Sequence, residues 1–461
     1  MELGDIPKYF AGKTILVTGA TGFLGKVFLE KILRVQPNIK KLYLLVRSSN
    51  THLATQRLHF EVFKKDLFRL QRDEKGENFG TFISEKVVVV VGDVSLEMLG
   101  VKDAKMREDM LKEINIIVHS AATTRFDERF DIAMATNTMG AFNVLSFAKN
   151  CLKLEILLHV STAYVYGQMK GLISEKPFFM GQTLKGSSTL DIELEKKLIE
   201  NKLSELEAQK ADEQTIDMVM KKFGIVRANL HGWPNTYAFT KAMGEMLVAN
   251  MKDLPLIIIR PTVVTSTHFE PFPGWVDDVR ALNFIIDGYG KGIIRSFVGV
   301  PETVLDIIPV DMVVNSMIVA MVARSKNLCT NLIYNISSSL RNPINFSDVL
   351  DNTYCYFTKN PWINKNGKPV LIAKKMALFS TSMDEFDPNK GSKMESAIEL
   401  FRPYTIFEGI FDDQNVENLR MVAKRAIDEG FDFDPRNINW KNYLMNVYIP
   451  GVMKYSMRSK M

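Results

Sequence analysis

Tyr237 and Lys241 form a YxxxK pair in the run Tyr237-Ala238-Phe239-Thr240-Lys241. Four residues apart on a helix, the two side chains share a face. A lysine cation beside a phenol favours the phenolate and draws the tyrosine pKa down from about 10, which eases proton transfer near neutral pH. The pair alone is a short pattern that many chains contain by chance. A second group of residues, Thr18-Gly19-Ala20-Thr21-Gly22-Phe23-Leu24-Gly25, follows an apolar run and opens a helical one. Gly19, Gly22 and Gly25 suit a sharp turn, a close backbone approach to a pyrophosphate, and tight packing of helix on strand. The GxxGxxG spacing in that setting predicts a dinucleotide site. Where the second strand ends, an acid would suit the ribose hydroxyls of NAD, but here Leu45-Val46 runs into Arg47-Ser48-Ser49. A cation and hydroxyls suit a 2′-phosphate, so NADPH is the expected cofactor. Gly92-Asp93-Val94 after the third strand offers a carboxylate to an adenine amino group, or forms a simple turn.

These residues need a scaffold that brings strand ends together. Thr14–Thr18, Leu42–Val46, Val87–Val91, Asn115–His119, Ile156–Val160 and Leu256–Ile259 are short, rich in β-branched residues and nearly unbroken, as in parallel strands covered on both faces. Amphipathic stretches at Phe28–Val35, Asp131–Lys149 and Tyr237–Met251 are long enough for crossover helices. The expected fold is α/β, a doubly wound parallel Rossmann sheet with a smaller, mostly helical C-terminal domain. Asp191–Lys222 breaks the rhythm with fifteen charged residues and with Leu194, Leu198, Ile199, Leu203 and Leu206 at helical spacing. It reads as a helical insertion within about 181–231, either a lid or a solvated excursion. After Ile333–Ile336 the alternation stops, so residues 1–340 are assigned to a cofactor domain and 341–461 to a second domain.

Composition narrows the classes. The chain has 461 residues, 46% hydrophobic and 24% charged, with a net charge of +5. These values exclude a disordered or collagen-like chain and give no warrant for a nucleic-acid groove. Cys151, Cys329 and Cys355 are far apart, and none of the six histidines has metal-ligand spacing, so neither a disulfide framework nor a metal is expected. Met312–Ala323, the longest apolar candidate for a membrane span, is interrupted by Asn315 and Ser316. Trp440–Met461 carries Lys441, Lys454, Arg458 and Lys460 and no acid, which suits either a packed terminal helix or peripheral contact with a membrane surface. The opening MELGDIPKYF has neither signal-peptide nor transit-peptide character.

The glycine turn, His119-Ser120-Ala121-Ala122, Ser161-Thr162 and the Tyr-Lys pair occur in the order of the extended short-chain dehydrogenase/reductases. More closely, TGATGFLG at 18–25, LYLLVR at 42–47, VSTAYVYG at 160–167, PNTYAFTK at 234–241 and RPTVVTSTHFEPFPGW at 260–275 resemble the plant alcohol-forming fatty acyl-CoA reductases. Phe431–Val452 resembles their C-terminal male-sterility domain. The resemblance implies NADPH-dependent reduction of a long-chain acyl-CoA, or an acyl carrier protein thioester, to a primary fatty alcohol through an enzyme-held aldehyde. It implies Tyr237 as proton donor, Lys241 as ribose ligand and tuner of Tyr237, and Thr162 as the hydroxyl that steadies the carbonyl, with Ser161 the alternative and turn capping open for either. The cofactor set it implies is Thr18, Gly19, Thr21, Gly22, Phe23, Leu24, Gly25, Arg47, Asp93, Val94, Ser120, Ala121, Ala122 and Asn137, with Tyr237 and Lys241. Asn137 could equally be a buried structural residue, and His119 is expected in the cofactor floor rather than as a base.

The inserted helix, the Phe269–Trp275 loop and the C-terminal domain are candidates for an acyl pocket. Phe272 and Trp275 serve either as acyl contacts or as loop packing. Competing readings are a nucleotide-sugar epimerase or dehydratase, a carboxylic acid reductase lacking its adenylating domain, and a non-catalytic dinucleotide-binding scaffold. The cytoplasm or the cytosolic face of the endoplasmic reticulum is the expected location, ahead of the plastid.

Overall fold

The computed structural model describes residues 5–186, 189–251, 253–277, 282–294, 296–372, 377–379, 400–424 and 430–458. Seven strands form one sheet: β1 (Thr14–Thr18), β2 (Lys41–Val46), β3 (Val87–Val91), β4 (Ile116–His119), β5 (Ile156–Val160), β6 (Leu256–Pro261) and β7 (Ile333–Ile336). Their order across the sheet is 7-6-5-4-1-2-3, and every pairing is parallel. The order reverses between β1 and β4, and loops leaving the carboxyl ends of strands at such a point part to form a ligand crevice. Alternate residues explain why the strands read as unbroken apolar runs. Ile15, Val17, Leu44, Val118 and Ile259 enter one core cluster, and Leu16, Leu45, Ile117, Leu157 and Ile258 enter the other.

The glycine-turn helix (Phe23–Val35) and the tyrosine helix (Thr236–Ala249) run from strand-end loops. The tyrosine helix starts where Asn235 accepts the Ala238 N–H in its side chain. Val310–Ser325, the broken apolar candidate, is a helix buried throughout Val310–Ala323 inside the protein core. No described helix is long and apolar enough to cross a membrane.

The charged interval folds as two helices, Ile192–Ala208 and Glu213–His231, capped by Asp191 and Asp212. Most of their charges face outward, while Ile192, Ile199, Leu206, Met220 and Ala228 join Phe239, Ala242, Met243 and Met246 of the tyrosine helix in one apolar cluster. Buried Glu195 ties the two helices together by accepting from Arg227 Nε at 2.9 Å, beside His231 at 3.1 Å. The insertion is thus neither a lid nor a loose excursion; it braces the outer side of the tyrosine helix.

The described residues beyond 340 share their core with the sheet. Phe431, Phe433, Tyr443, Tyr448 and Val452 lie in the same cluster as Val313, Met317 and Ile336. Gly409–Phe411 adds a parallel pairing to Gly171–Ile173, and the Tyr443 hydroxyl meets Thr265 Oγ1 at 2.7 Å and donates to the Ser266 carbonyl at 2.9 Å. At Gly274 and Gly451 the two backbones approach so closely that a Cβ on Gly451 would overlap the Gly274 carbonyl. Most described apolar side chains of the tail are therefore buried or half-buried, while Lys441 and Lys454 remain on the surface. Lys460 and the Arg458 side chain lie outside the described residues.

Candidate active site

Three adjoining cavities open along the carboxyl ends of the strands. The first, about 580 Å³, is lined by Gly19, Thr21, Gly22, Arg47, Asp93, Val94, Ser120, Ala121 and Ala122 among others. The second, about 340 Å³, is lined by Thr21, Gly22, Phe23, Leu24, Ser120, Ala122, Thr162, Tyr237 and Lys241. Thr21, Gly22, Ser120 and Ala122 belong to both, so the two are halves of one groove that crosses the glycine turn. The backbone there admits no side chain. A Cβ on Gly19, whose φ is +76°, would lie 2.6 Å from the Ala121 nitrogen, and one on Gly25 would overlap the Gly19 carbonyl. Glycine at these places lets the turn, the helix N-terminus and the β4 loop close on a pyrophosphate-sized gap. The groove's size and its glycine cradle fit a nicotinamide dinucleotide.

Three residues expected in that groove lie behind it. Thr18 is buried with its Oγ1 at 2.8 Å from His119 Nδ1, joining β1 to β4. Gly25 packs helix on turn, as noted. Asn137 is also buried; its amide bonds both the N–H and C=O of Thr123 at 3.0 Å and reaches Thr240 Oγ1 at 3.0 Å. Asn137 thereby shapes the loop that carries Thr124 and Arg125 into the groove instead of lining it. Burial and the nearby Lys241 push the His119 pKa down to about 3, leaving a neutral ring that supports the floor. Arg57, in the helix Thr51–Leu58, was not legible in the sequence. Its guanidinium donates to the Arg47 carbonyl at 3.1 Å and reaches Thr21 Oγ1 at 3.5 Å, so a second cation stands beside Arg47. Lys26 and Asp277, 2.6 Å apart, close the groove from the other side, and Lys31 pairs with Glu270 on the same loop.

At the inner end, Lys241 Nζ donates to the Val160 carbonyl at 2.6 Å. Burial lowers the Lys241 pKa to about 8, against the pull of Glu245. The same burial reverses the expectation for the phenol. Tyr237 is pushed up to about 12, a hydrogen bond from Thr162 being the opposing influence, and Lys241 contributes no comparable drop. A sequence can place a cation one turn away, but it cannot weigh that cation against desolvation. Ser161 and Thr162 differ in their partners, although both line the groove. Ser161 Oγ donates to Glu245 Oε2 at 2.7 Å, inside a buried network in which Arg260 Nε holds the same oxygen at 2.9 Å. Thr162 lines the apolar cavity as well, with Tyr237; its Oγ1 donates to the Pro261 carbonyl at 3.5 Å and accepts from the Tyr164 N–H at 3.3 Å, so it caps a short turn too.

The third cavity, about 500 Å³, begins at Thr162 and Tyr237 and is walled by Phe126, Tyr164, Leu282, Phe284, Ile285, Leu305, Phe346, Phe401 and Tyr404. Its lining is mainly apolar, with Arg125, Asp127 and several threonines among the polar exceptions. Among the described residues, neither the helical insertion nor the Phe269–Trp275 loop lines it. Trp275 is 1% exposed and packs on Phe23, and Phe272 lies under Arg69, so both are core residues. The C-terminal residues Leu400–Thr405 do contribute, but nothing in the sequence separated them from ordinary packing. Among the described residues there is no cluster able to hold a metal ion.

Comparison with known proteins gives these cavities a context. Residues 17–317 match the family described as male sterility protein, and residues 386–459 match a second family with the same description. The chain is 47% identical to "Fatty acyl-CoA reductase 8" of Arabidopsis thaliana over 98% of both chains. It is 46% identical to "Alcohol-forming fatty acyl-CoA reductase" of Simmondsia chinensis over 98% of this chain and 99% of that one. Among solved structures, the reductase domain of a nonribosomal peptide synthetase from Mycobacterium tuberculosis aligns with a TM-score of 0.59 at 17% identity, covering 100% of this chain and 98% of that chain. A UDP-glucuronic acid 4-epimerase from Bacillus cereus, in complex with NAD, aligns at 0.52 with 14% identity over 96% and 99%. Both structural likenesses speak to the shared fold.

Proposed function

This chain belongs to the fatty acyl-CoA reductase family, and on that premise we propose that it reduces a long-chain acyl-CoA to the primary alcohol through a retained aldehyde, using NADPH. The carrying observation is the shared wall: Thr162 and Tyr237 line both the cavity that contains Lys241 and the apolar cavity. A carbonyl placed there has its chain in an apolar space of a size typical of ligand sites and its reacting carbon at the groove. The nicotinamide cofactor, when bound, supplies the hydride at each of two reductions.

The remaining chemistry falls to the chain. Thr162 and Tyr237 hold the carbonyl oxygen as negative charge grows on it. Tyr237, protonated across the working pH range, gives its proton to the alkoxide of the second reduction. Lys241, anchored at the Val160 carbonyl, is placed to hold a ribose hydroxyl and to steady the phenolate left behind. The apolar walls keep water from the aldehyde between reductions. NADPH is favoured over NADH by Arg47 at the end of β2 and by Arg57 from the helix beside it, whose Nε pairs with Glu61 at 2.9 Å while its other nitrogens face Arg47 and Thr21. Asp93 lines the same end and is assigned to the adenine, although its Oδ1 also accepts from the Ser95 N–H and hydroxyl, both at 2.9 Å. Peripheral contact with the cytosolic face of the endoplasmic reticulum belongs to the same reading; it would use exposed Lys441 and Lys454, since most of the neighbouring apolar side chains are buried or half-buried.

The test is to incubate purified protein with octadecanoyl-CoA and NADPH and to quantify extracted alcohol and aldehyde by gas chromatography. Alcohol as the main product is expected. No cofactor oxidation and no alcohol across a panel of chain lengths would overturn the reading, and equal rates with NADH would remove the role given to Arg47 and Arg57.

A further inference from the structure

Tyr404 reaches the catalytic end from a segment about 165 residues beyond the Tyr-Lys pair, and its hydroxyl has an unused proton. Its ring is 8% exposed, stacked on Phe126 at 5.0 Å and met edge-on by Tyr164 at 4.8 Å. The Phe126 ring also contacts Tyr237 at 6.0 Å, so the two phenols flank one aromatic ring on the wall of the apolar cavity. The Tyr404 oxygen receives a hydrogen bond from Asn235 Nδ2 at 2.9 Å. The direction of that bond is set by the helix cap. Asn235 Oδ1 accepts from the Ala238 N–H at 2.9 Å, which leaves the amide nitrogen, a donor with no lone pair, facing Tyr404. The phenol therefore acts as acceptor there, and among the described residues no oxygen accepts its own proton. Buried hydroxyls rarely leave a donor unused. Tyr404 lines the apolar cavity, where a ligand could accept that proton.

We infer that Tyr404 is a further catalytic residue, donating a hydrogen bond to the substrate carbonyl oxygen from the acyl side while Tyr237 and Thr162 hold it from the cofactor side. The inference rests on the reductase reading above. Burial, with Tyr237 close by, keeps the Tyr404 phenol well above its ordinary range, and four residues on it has Glu408 where Tyr237 has Lys241, so Tyr404 is the poorer proton donor of the two and serves by its hydrogen bond.

That distinction matters because the two reductions make different demands. In the first, hydride adds to the thioester carbon and the C=O π pair moves to oxygen; the pair then returns, the C–S bond breaks and the thiolate leaves with that bond's electrons. Protonating the oxyanion would block its collapse, so a donor that stabilises charge without surrendering its proton serves this step. In the second, hydride adds to the aldehyde and the oxygen must take a proton, which Tyr237 supplies. Loss of the Tyr404 hydroxyl should therefore weigh more heavily on the thioester.

The test compares wild type with Tyr404→Phe, using octadecanoyl-CoA and octadecanal as separate substrates with saturating NADPH. Expected are a fall of about 100-fold in kcat with the thioester, the scale of losing one oxyanion donor, a fall under about tenfold with the aldehyde, and little change in either KM. Asn235→Asp keeps the helix cap but gives the Tyr404 proton a carboxylate to bond. It should reproduce the selective loss, and combining it with Tyr404→Phe should add little. Equal losses on the two substrates, or none on either, would overturn the assignment and leave Tyr404 as packing. A wild-type protein that makes no alcohol would defeat the reductase reading instead, so the two failures are separable.

Discussion

The dinucleotide groove and the apolar cavity share Thr162 and Tyr237 but are built in opposite ways. Much of the groove comes from strand ends, each delivering a short peptide: 19–24 after β1, 45–47 at the end of β2, 92–94 after β3 and 120–125 after β4. The cavity is assembled from more scattered segments, at 124–127, 162, 164, 237, 262–264, 282–285, 305, 346 and 400–405, and its walls at 282–285, 305, 346 and 400–405 lie in no motif of the sequence. In the groove the backbone supplies much of the binding surface, which fixes glycine at Gly19 and Gly25. In the cavity, side-chain volume sets the shape, and many apolar residues would satisfy the fold equally well. Cofactor chemistry is consequently written in motifs and acyl selectivity in packing.

The contrast can be tested most sharply at the shared wall. Tyr237→Phe removes a proton donor used on the cavity side without altering the groove's cradle. It should lower kcat by about 10³-fold with either thioester or aldehyde, while NADPH affinity, read by fluorescence titration, stays within about twofold. A parallel loss of cofactor binding would break the division between the two regions. On the groove side, Arg57→Ala should raise the KM for NADPH by about tenfold or more, the worth of a charge-assisted hydrogen bond. It should leave the KM for NADH and the preferred chain length unchanged. On the cavity side, Leu282→Phe fills space on a wall with no groove contact. The expected effect is a shift of about tenfold in kcat/KM against the longest accepted chain relative to one four carbons shorter, with the NADPH KM unaffected, as measured on a panel of acyl-CoA substrates.

Six of the seven strands were legible because each is a short apolar run between helical periods, with Ile333–Ile336 marking where that alternation stops; the order of the strands across the sheet was not read from the sequence. The Tyr237–Lys241 pair and the glycine turn were legible because their geometry is local. Four features were not, and each depends on distance in sequence. Arg57 lies ten residues past Arg47 on a helix that only the folded chain turns toward Thr21. The aromatic side chains Phe272 and Trp275 attracted attention by type, but the loop that bears them faces the core. The raised Tyr237 pKa depends on burial by neighbours from several segments. Asn235 was visible next to Tyr237, yet its bond to Tyr404 spans 169 residues.

The seam at Gly274 and Gly451 bears on how such an enzyme can change its diet over evolutionary time. Two backbones in contact there, with Tyr443 bonded into the loop after β6, mean that the tail fits one loop shape and that loop fits one tail. Segments exchanged between homologues at a breakpoint between these positions would bring together halves that had not adapted to each other, and the chimaeras would fold poorly. On this geometry, new chain-length preferences would be reached more readily by single substitutions in the cavity wall than by trading C-terminal cassettes, and the two halves of the chain should share one ancestry.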